Sequence, residues 1–260
     1  MQKKYYWIDD GTLDKLVLSS PCVDFPRSTR VNIFHVGLMV DLNRAKSTIN
    51  WDIFGERPIV YCSLGTQVHK DTDRAVTFFS KLISVFSSRS DVSLIVSMSA
   101  ELRHRLSHGL TRNIHLMEDA PQLDMLKRCE FMITHGGLGS VKECIRLAVP
   151  MLVFPLNPKV DQAGNAARVH YHKIGLRGDM NQSARAISDL VEAMLTDQSF
   201  KRNIVRMQRT IIDEEKQDLF FRYLLRRIPS LSSLLEVGND GVTDTLVNAG
   251  CANSERRTEA

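Results

Sequence analysis

The sequence predicts an α/β protein: a parallel sheet with helices on both faces. Three observations carry that prediction. Apolar runs of strand length alternate with helical runs from Pro58 to Leu195, a pattern that covers both faces of a parallel sheet. One run, ending in Phe131-Met-Ile, passes through three glycines within four positions into a helical segment. The polar residues of chemical interest fall at the carboxyl ends of strand runs, the edge where such sheets bind ligands.

Residues 1–57 read as a lead-in that buries no core of its own. Leu16-Val-Leu-Ser is a short strand, and Pro21, Pro26 and the polar run Arg27 to Arg30 interrupt the chain beyond it. Ile33 to Val40 is another extended piece. Asp41 to Arg57 is polar and closes on Pro58, as linkers do.

From Pro58 the pattern is regular. Ile59-Val-Tyr-Cys-Ser is a buried strand ending in Leu64-Gly65-Thr66. Asp71 to Phe86 is a helix, apolar at Val76, Phe79, Leu82, Ile83 and Phe86 in helical rhythm. Val92 to Met98 is a second strand, Ala100 to Leu106 a short helix, and Asn113 to Met117 a third strand. A helix starts at Asp119-Ala-Pro-Gln122 and runs to Lys127, with the proline suited to its first turn. After the glycine-rich turn comes a helix from Val141 to Leu147, then a strand Met151-Leu-Val-Phe closed by Pro155. Asp161 to His172 is helical, Ile174 to Arg177 is a sixth strand, and Ser183 to Leu195 is a helix.

Composition excludes several classes. With 43% hydrophobic and 25% charged residues the chain is ordinary globular material. A formal charge of +4 over 260 residues is too small and dispersed to indicate nucleic-acid binding. Cys22, Cys62, Cys129, Cys144 and Cys251 form no C-x-x-C pair, which favours reduced thiols in a cytoplasmic setting over a disulfide frame or zinc site. No apolar run reaches the length of a membrane span, and the N-terminus lacks a signal-peptide core.

The stretch Phe131 to Glu143 admits two readings. Strand, glycine turn and helix N-terminus together form an anion site, because close backbone N–H groups and the helix dipole both favour negative charge. His135 stands at the strand end, and Ser140 and Glu143 add a hydroxyl and a carboxylate suited to a phosphate and a neighbouring diol. Alternatively, Ser140-x-x-Glu143 is a capping box in which the two side chains satisfy local backbone donors.

The motifs Ser63-Leu64-Gly65-Thr66, Ala120-Pro121-Gln122, Thr134-His135-Gly136-Gly137, Ser140-x-x-Glu143, Pro150, Pro155 and Asp161-Gln162 stand in one order along the chain. In that order they resemble the C-terminal, donor-binding domain of family 1 UDP-glycosyltransferases of the GT-B class, including macrolide-type enzymes. The resemblance implies a Rossmann-like fold, a donor-binding domain over residues 58–215, and a remnant of an N-terminal domain with linker over 1–57. It implies that His135, the amides from Gly137 through Leu138 and Gly139 to Ser140, and the Ser140 hydroxyl hold the diphosphate. Glu143 would accept from the ribose hydroxyls, Pro121 and Gln122 would face the uracil, Ser63, Gly65 and Thr66 would lie near the phosphates, and Asp161 and Gln162 would hold sugar hydroxyls. The expected ligand is a UDP-sugar, with no separate cofactor and no obligate metal. Asp71-Thr-Asp73 matches a metal signature of another glycosyltransferase fold, but it sits at a helix start where aspartates are favoured by the dipole.

Two departures qualify the resemblance. Leu116-Met117-Glu118-Asp119 precedes Pro121-Gln122 without the aromatic residue that many relatives stack on the base. None of His35, His69, His104, His108 or His115 stands in a segment resembling the family's general base, whose task is to take the acceptor's proton. The expected activity is inverting hexosyl transfer to a small-molecule hydroxyl with the acceptor domain supplied from elsewhere. The alternatives are a non-catalytic nucleotide-sugar-binding module or a truncated fragment.

Residues 216–230 carry an amphipathic helix, apolar at Leu219, Phe220, Tyr223, Leu224 and Ile228 with Arg222, Arg226 and Arg227 around it. Packing on protein is favoured over a membrane surface. With an acceptor domain absent, 218–228 is expected to mediate self-association or to dock an acceptor subunit. Residues 231–260 lack an apolar rhythm after Val247 and are expected to be disordered.

Overall fold

The computed structural model describes residues 13–26, 32–44, 49–66, 68, 72–157 and 159–231. The expected tail and Asp71 lie largely or wholly outside those residues. The first described elements are β1 (Lys15–Val17), a 3-10 turn at Pro21–Val23, β2 (Ile33–His35) and a second 3-10 turn at Trp51–Phe54. The regular part is β3 (Ile59–Ser63), α1 (Thr72–Ser87), β4 (Ser93–Ser97), α2 (Ala100–Leu106), β5 (Ile114–Met117), α3 (Gln122–Leu126), β6 (Cys129–Thr134), α4 (Leu138–Arg146), β7 (Met151–Val153), α5 (Asp161–Tyr171), β8 (Gly175–Arg177) and α6 (Ala184–Thr196). Helices α7 (Ser199–Glu215) and α8 (Leu219–Arg227) follow.

All six strands of the main sheet are parallel, in the order β5-β4-β3-β6-β7-β8. Successive side chains leave a strand on opposite faces, and the two cores divide accordingly. Val60, Cys62, Leu94, Val96, Phe131 and Ile133 pack with α1 and α6 on one face. Ile59, Tyr61, Ile95, Met132, Met151 and Val153 pack with α4, α5 and α7 on the other. Both faces are dry, which is why these strands read as unbroken apolar runs. Buried Cys129 and Cys144 belong to the second core, and burial pushes the Cys129 thiol up to about 12.

Three expectations are corrected. Helix α3 starts at Gln122 with Pro121 as the flanking residue outside its first turn, because the proline is extended there. The expected amphipathic helix over 216–230 is shorter, with α8 spanning Leu219–Arg227 after Asp218, whose φ is +48°. The apolar stripe of α8 is half-buried rather than bare: Tyr223 packs on Phe34 of β2, with ring centroids 4.9 Å apart, and donates its hydroxyl to Asp14 at 2.7 Å. The lead-in strands, paired in parallel as β1–β2, supply that cover.

Candidate functional site

The chain leaves β3 outward to β5, returns through α3 to β6 beside β3, and then proceeds the other way. Ligands of open parallel sheets bind at such a switch point, outside the carboxyl ends of the strands. Here Ser63 of β3 pairs with Thr134 of β6. Each turns the chain in the same way: the Ser63 hydroxyl accepts the Gly65 N–H at 3.3 Å, and the Thr134 hydroxyl accepts the Gly136 N–H at 3.3 Å. Side-chain turns of this kind mimic a backbone turn, and both glycines hold positive φ, +71° and +83°.

His135 lies between the two turns. A Cβ on Gly65 would stand 2.6 Å from its Cε1, and one on Gly137 would stand 2.5 Å from its Nε2, so the ring requires glycine on both sides. Its Nδ1 is buried without a hydrogen-bond partner among the described residues. Burial pulls the His135 pKa below the ordinary histidine value, against an opposing pull from the Asp161 carboxylate. The ring is therefore neutral at neutral pH and offers one N–H donor. Gly136 is fixed from behind: Asn165 Nδ2 donates to its carbonyl at 2.8 Å, and a Cβ there would meet Val153 at 2.7 Å.

Helix α4 begins at Leu138, three residues earlier than the sequence indicated, with Gly137 as an N-cap that no side chain caps. The first internal bond runs from Val141 N–H to the Gly137 carbonyl at 3.1 Å. The amides of Leu138, Gly139 and Ser140 precede it, so they have no helical acceptor and end at the cavity. This corrects the capping-box reading, because Ser140 lies inside the first turn. Glu143 lies at the cavity instead: Oε1 pairs with Arg44 Nη2 at 2.6 Å, and Oε2 accepts from Gln122 Nε2 at 2.6 Å. Gln122 also reaches the Ser140 hydroxyl at 3.3 Å. It braces α3 against α4 from the cavity wall.

These residues share a cavity of about 840 Å³ lined by Ser63, Gly65, Thr66, Pro121, Gln122, His135, Gly137 to Ser140 and Glu143. Val68, Ser97, Met98, Ser99, Glu118, Asp119 and Ala120 also line it. Asp161 and Gln162 do not line it. The Gln162 side-chain oxygen accepts the Asn157 N–H at 2.8 Å, and Asp161 accepts from Asn165 at 3.1 Å. Both support the loop behind Gly136, with Asp161 reaching the site through its charge on His135. Arg44 and Asn165 escaped the sequence reading, since one sits in a featureless polar linker and the other mid-helix. Asp73 of the metal-like motif pairs with Arg105 at 3.1 Å.

Chemically, the arrangement offers amide donors at a helix start, a neutral imidazole and an anchored carboxylate within one cleft. The model of the UDP-glucoronosyl and UDP-glucosyl transferase family matches residues 14–219. The chain is similar to zeaxanthin glucosyltransferase of Pantoea ananas, 28% identical over 74% of this chain and 44% of that protein. It is 31% identical to UDP-glycosyltransferase UGT4 of Dactylopius coccus over 57% of this chain and 28% of that one. Among solved structures it resembles spinosyn rhamnosyltransferase SpnG, with a TM-score of 0.64 and 20% identity over 76% of this chain and 52% of that chain. The chain spans less than half the length of the curated relatives named here. No helix among the described residues is long and apolar enough to cross a membrane.

Proposed function

Because this chain belongs to the UDP-glucoronosyl and UDP-glucosyl transferase family, we propose that its cavity binds the nucleoside diphosphate of a UDP-sugar and serves as the donor half of a hexosyltransferase. The observation that carries the reading is the uncapped start of α4 meeting His135 at the β3–β6 switch point. A diphosphate placed there accepts from the amides of Leu138 to Ser140 and from the imidazole, while Glu143 lies one helical turn further on for the ribose diol.

In the proposed reaction an acceptor hydroxyl attacks the anomeric carbon from the face opposite the diphosphate and inverts its configuration. The bond from that carbon to the phosphate oxygen breaks, and UDP leaves with the electron pair. Donors already aimed at the diphosphate stabilise the charge that develops there, and His135 is the catalytic residue in this sense. The acceptor's proton goes to a base that we assign to another segment or subunit, since His135 is the one imidazole among the described lining residues and serves the leaving group. The apolar side of residues 218–228 is the proposed dock for such a subunit or a second copy, through the part that Phe34 does not cover.

Titration calorimetry with UDP tests the reading. Saturable heat is expected from the folded chain, and no heat at millimolar UDP would overturn it. A transferred sugar that kept its anomeric configuration would overturn the inverting mechanism.

A further inference from the structure

Helix α4 has a cavity on each side. Ser140 and Glu143 face the one described above, whereas Val141, Lys142 and Ile145 line a second, of about 300 Å³. Leu138, at the head of the helix, borders both. Positions 138, 141, 142 and 145 are spaced to share one helix face. Across the space stand Val17 of β1, Ile33 of β2 and Leu38, so the body of the cavity is apolar.

Among the described lining residues Lys15, Lys142 and Arg168 are cations and Asp24 is the one carboxylate, paired with Arg168 at 3.0 Å. Burial pulls the Lys142 amine below its ordinary pKa, opposed by the charge of neighbouring Glu143. Its amine makes no hydrogen bond or ion pair among the described residues. A half-buried cation beside an apolar wall, with no partner among the described residues, gains from an anion brought to it. A volume of this size lies at the small end of ligand sites, which run from about 300 to 1,000 Å³.

We propose that this second cavity binds a small organic acid, its apolar body between α4 and the β1–β2 sheet and its anionic group paired with Lys142. The site lies on the opposite face of α4 from the donor cavity and does not depend on what that cavity binds. The carboxylate supplies the charge that Lys142 lacks, and the chain or ring fills the apolar space between the two layers.

The test uses decanoate and its neutral counterpart decanol, titrated into the full chain and followed by calorimetry. Decanoate is expected to bind about tenfold more tightly than decanol, as a charge-assisted bond would give. Lys142→Met should abolish that preference while leaving decanol binding in place, and Val141→Trp should block both by filling the space. Near-ultraviolet circular dichroism checks that each variant is folded. Equal affinity of the two compounds for the wild-type chain, no binding of either, or a preference that survives in Lys142→Met would each overturn the proposal.

Discussion

The imidazole of His135 lies against the α-carbon of Gly65 so closely that a Cβ at position 65 would stand 2.6 Å from Cε1. The obstruction is a ring fixed between two strand ends, which has no room to give way. Gly65→Ala is therefore expected to displace His135 and weaken UDP binding at least tenfold. Gly109 supplies the control, since its φ of +70° matches Gly65 but a Cβ there meets nothing within 4 Å. Both alanines carry about 1–2 kcal/mol of left-handed backbone cost, seen in urea melts. Only the first should change calorimetric affinity, and equal losses in both would show that the ring contact is immaterial.

Replacing His135 with glutamine should cost about 1.5–3 kcal/mol of UDP binding, the range for a hydrogen bond to a charged group. The pH dependence has a defined sign. Burial lowers the folded pKa below that of the unfolded chain, so the unfolded state takes up a proton first as pH falls. His135 therefore costs no stability at pH values above the ordinary histidine range, and stability drops as pH falls through it. Urea melts of His135→Gln should be flatter through that window.

A bound diphosphate pulls the same pKa upward, because an anion favours imidazolium. Binding should then take up a proton at mildly acidic pH. Calorimetry in buffers of different ionisation heat measures the uptake, and the nucleotide's own titration cancels when wild type is compared with His135→Gln. Identical proton counts in the two proteins would place His135 away from the phosphates.

Glu143 and Arg44 should differ sharply although they form one ion pair. The Arg44 side chain is 52% exposed and that of Glu143 is 12% exposed. A pair with one partner in solvent contributes about 0–1 kcal/mol, so Arg44→Ala should change UDP affinity less than about fivefold. Glu143→Gln removes the charged acceptor for a ribose diol and should lose tenfold or more. It should also erase any preference for UDP over 2′-deoxy-UDP. A larger loss for Arg44→Ala would mean that the linker arginine, not the carboxylate, holds the ribose.

The sheet was legible in sequence because its strands are buried on both faces and need no subtle period to betray them. The switch-point site was legible for a similar reason: glycines that must admit an imidazole are hard to replace with anything else. What escaped was set by neighbours distant in sequence. The Ser-x-x-Glu spacing of Ser140 and Glu143 satisfies the capping-box rule, yet Gly137 starts the helix and Gln122 and Arg44 draw Glu143 away. Asp161 and Gln162 are a local case: they hydrogen-bond Asn165 and Asn157, within five residues, beside the cavity wall rather than in it. The stripe of α8 looked uncovered because its cover comes from β2, nearly two hundred residues earlier.

That cover makes a last prediction. Tyr223 joins α8 to the lead-in twice, through its ring on Phe34 and its hydroxyl on Asp14, where Arg227 also pairs at 2.5 Å. The two links differ in character. The hydroxyl bond shares the Asp14 carboxylate with Arg227, which keeps Asp14 paired when the hydroxyl is removed, so Tyr223→Phe should lower hydrogen-exchange protection of the α8 amides less than about fivefold. Tyr223→Ala also removes the aromatic contact and should lower it by a further factor of about ten. Because Asp218 breaks the helix before α8 begins, protection in α7 should stay unchanged in both variants. Loss of protection through α7 as well would show that the two helices unfold together and that the break at Asp218 does not isolate them.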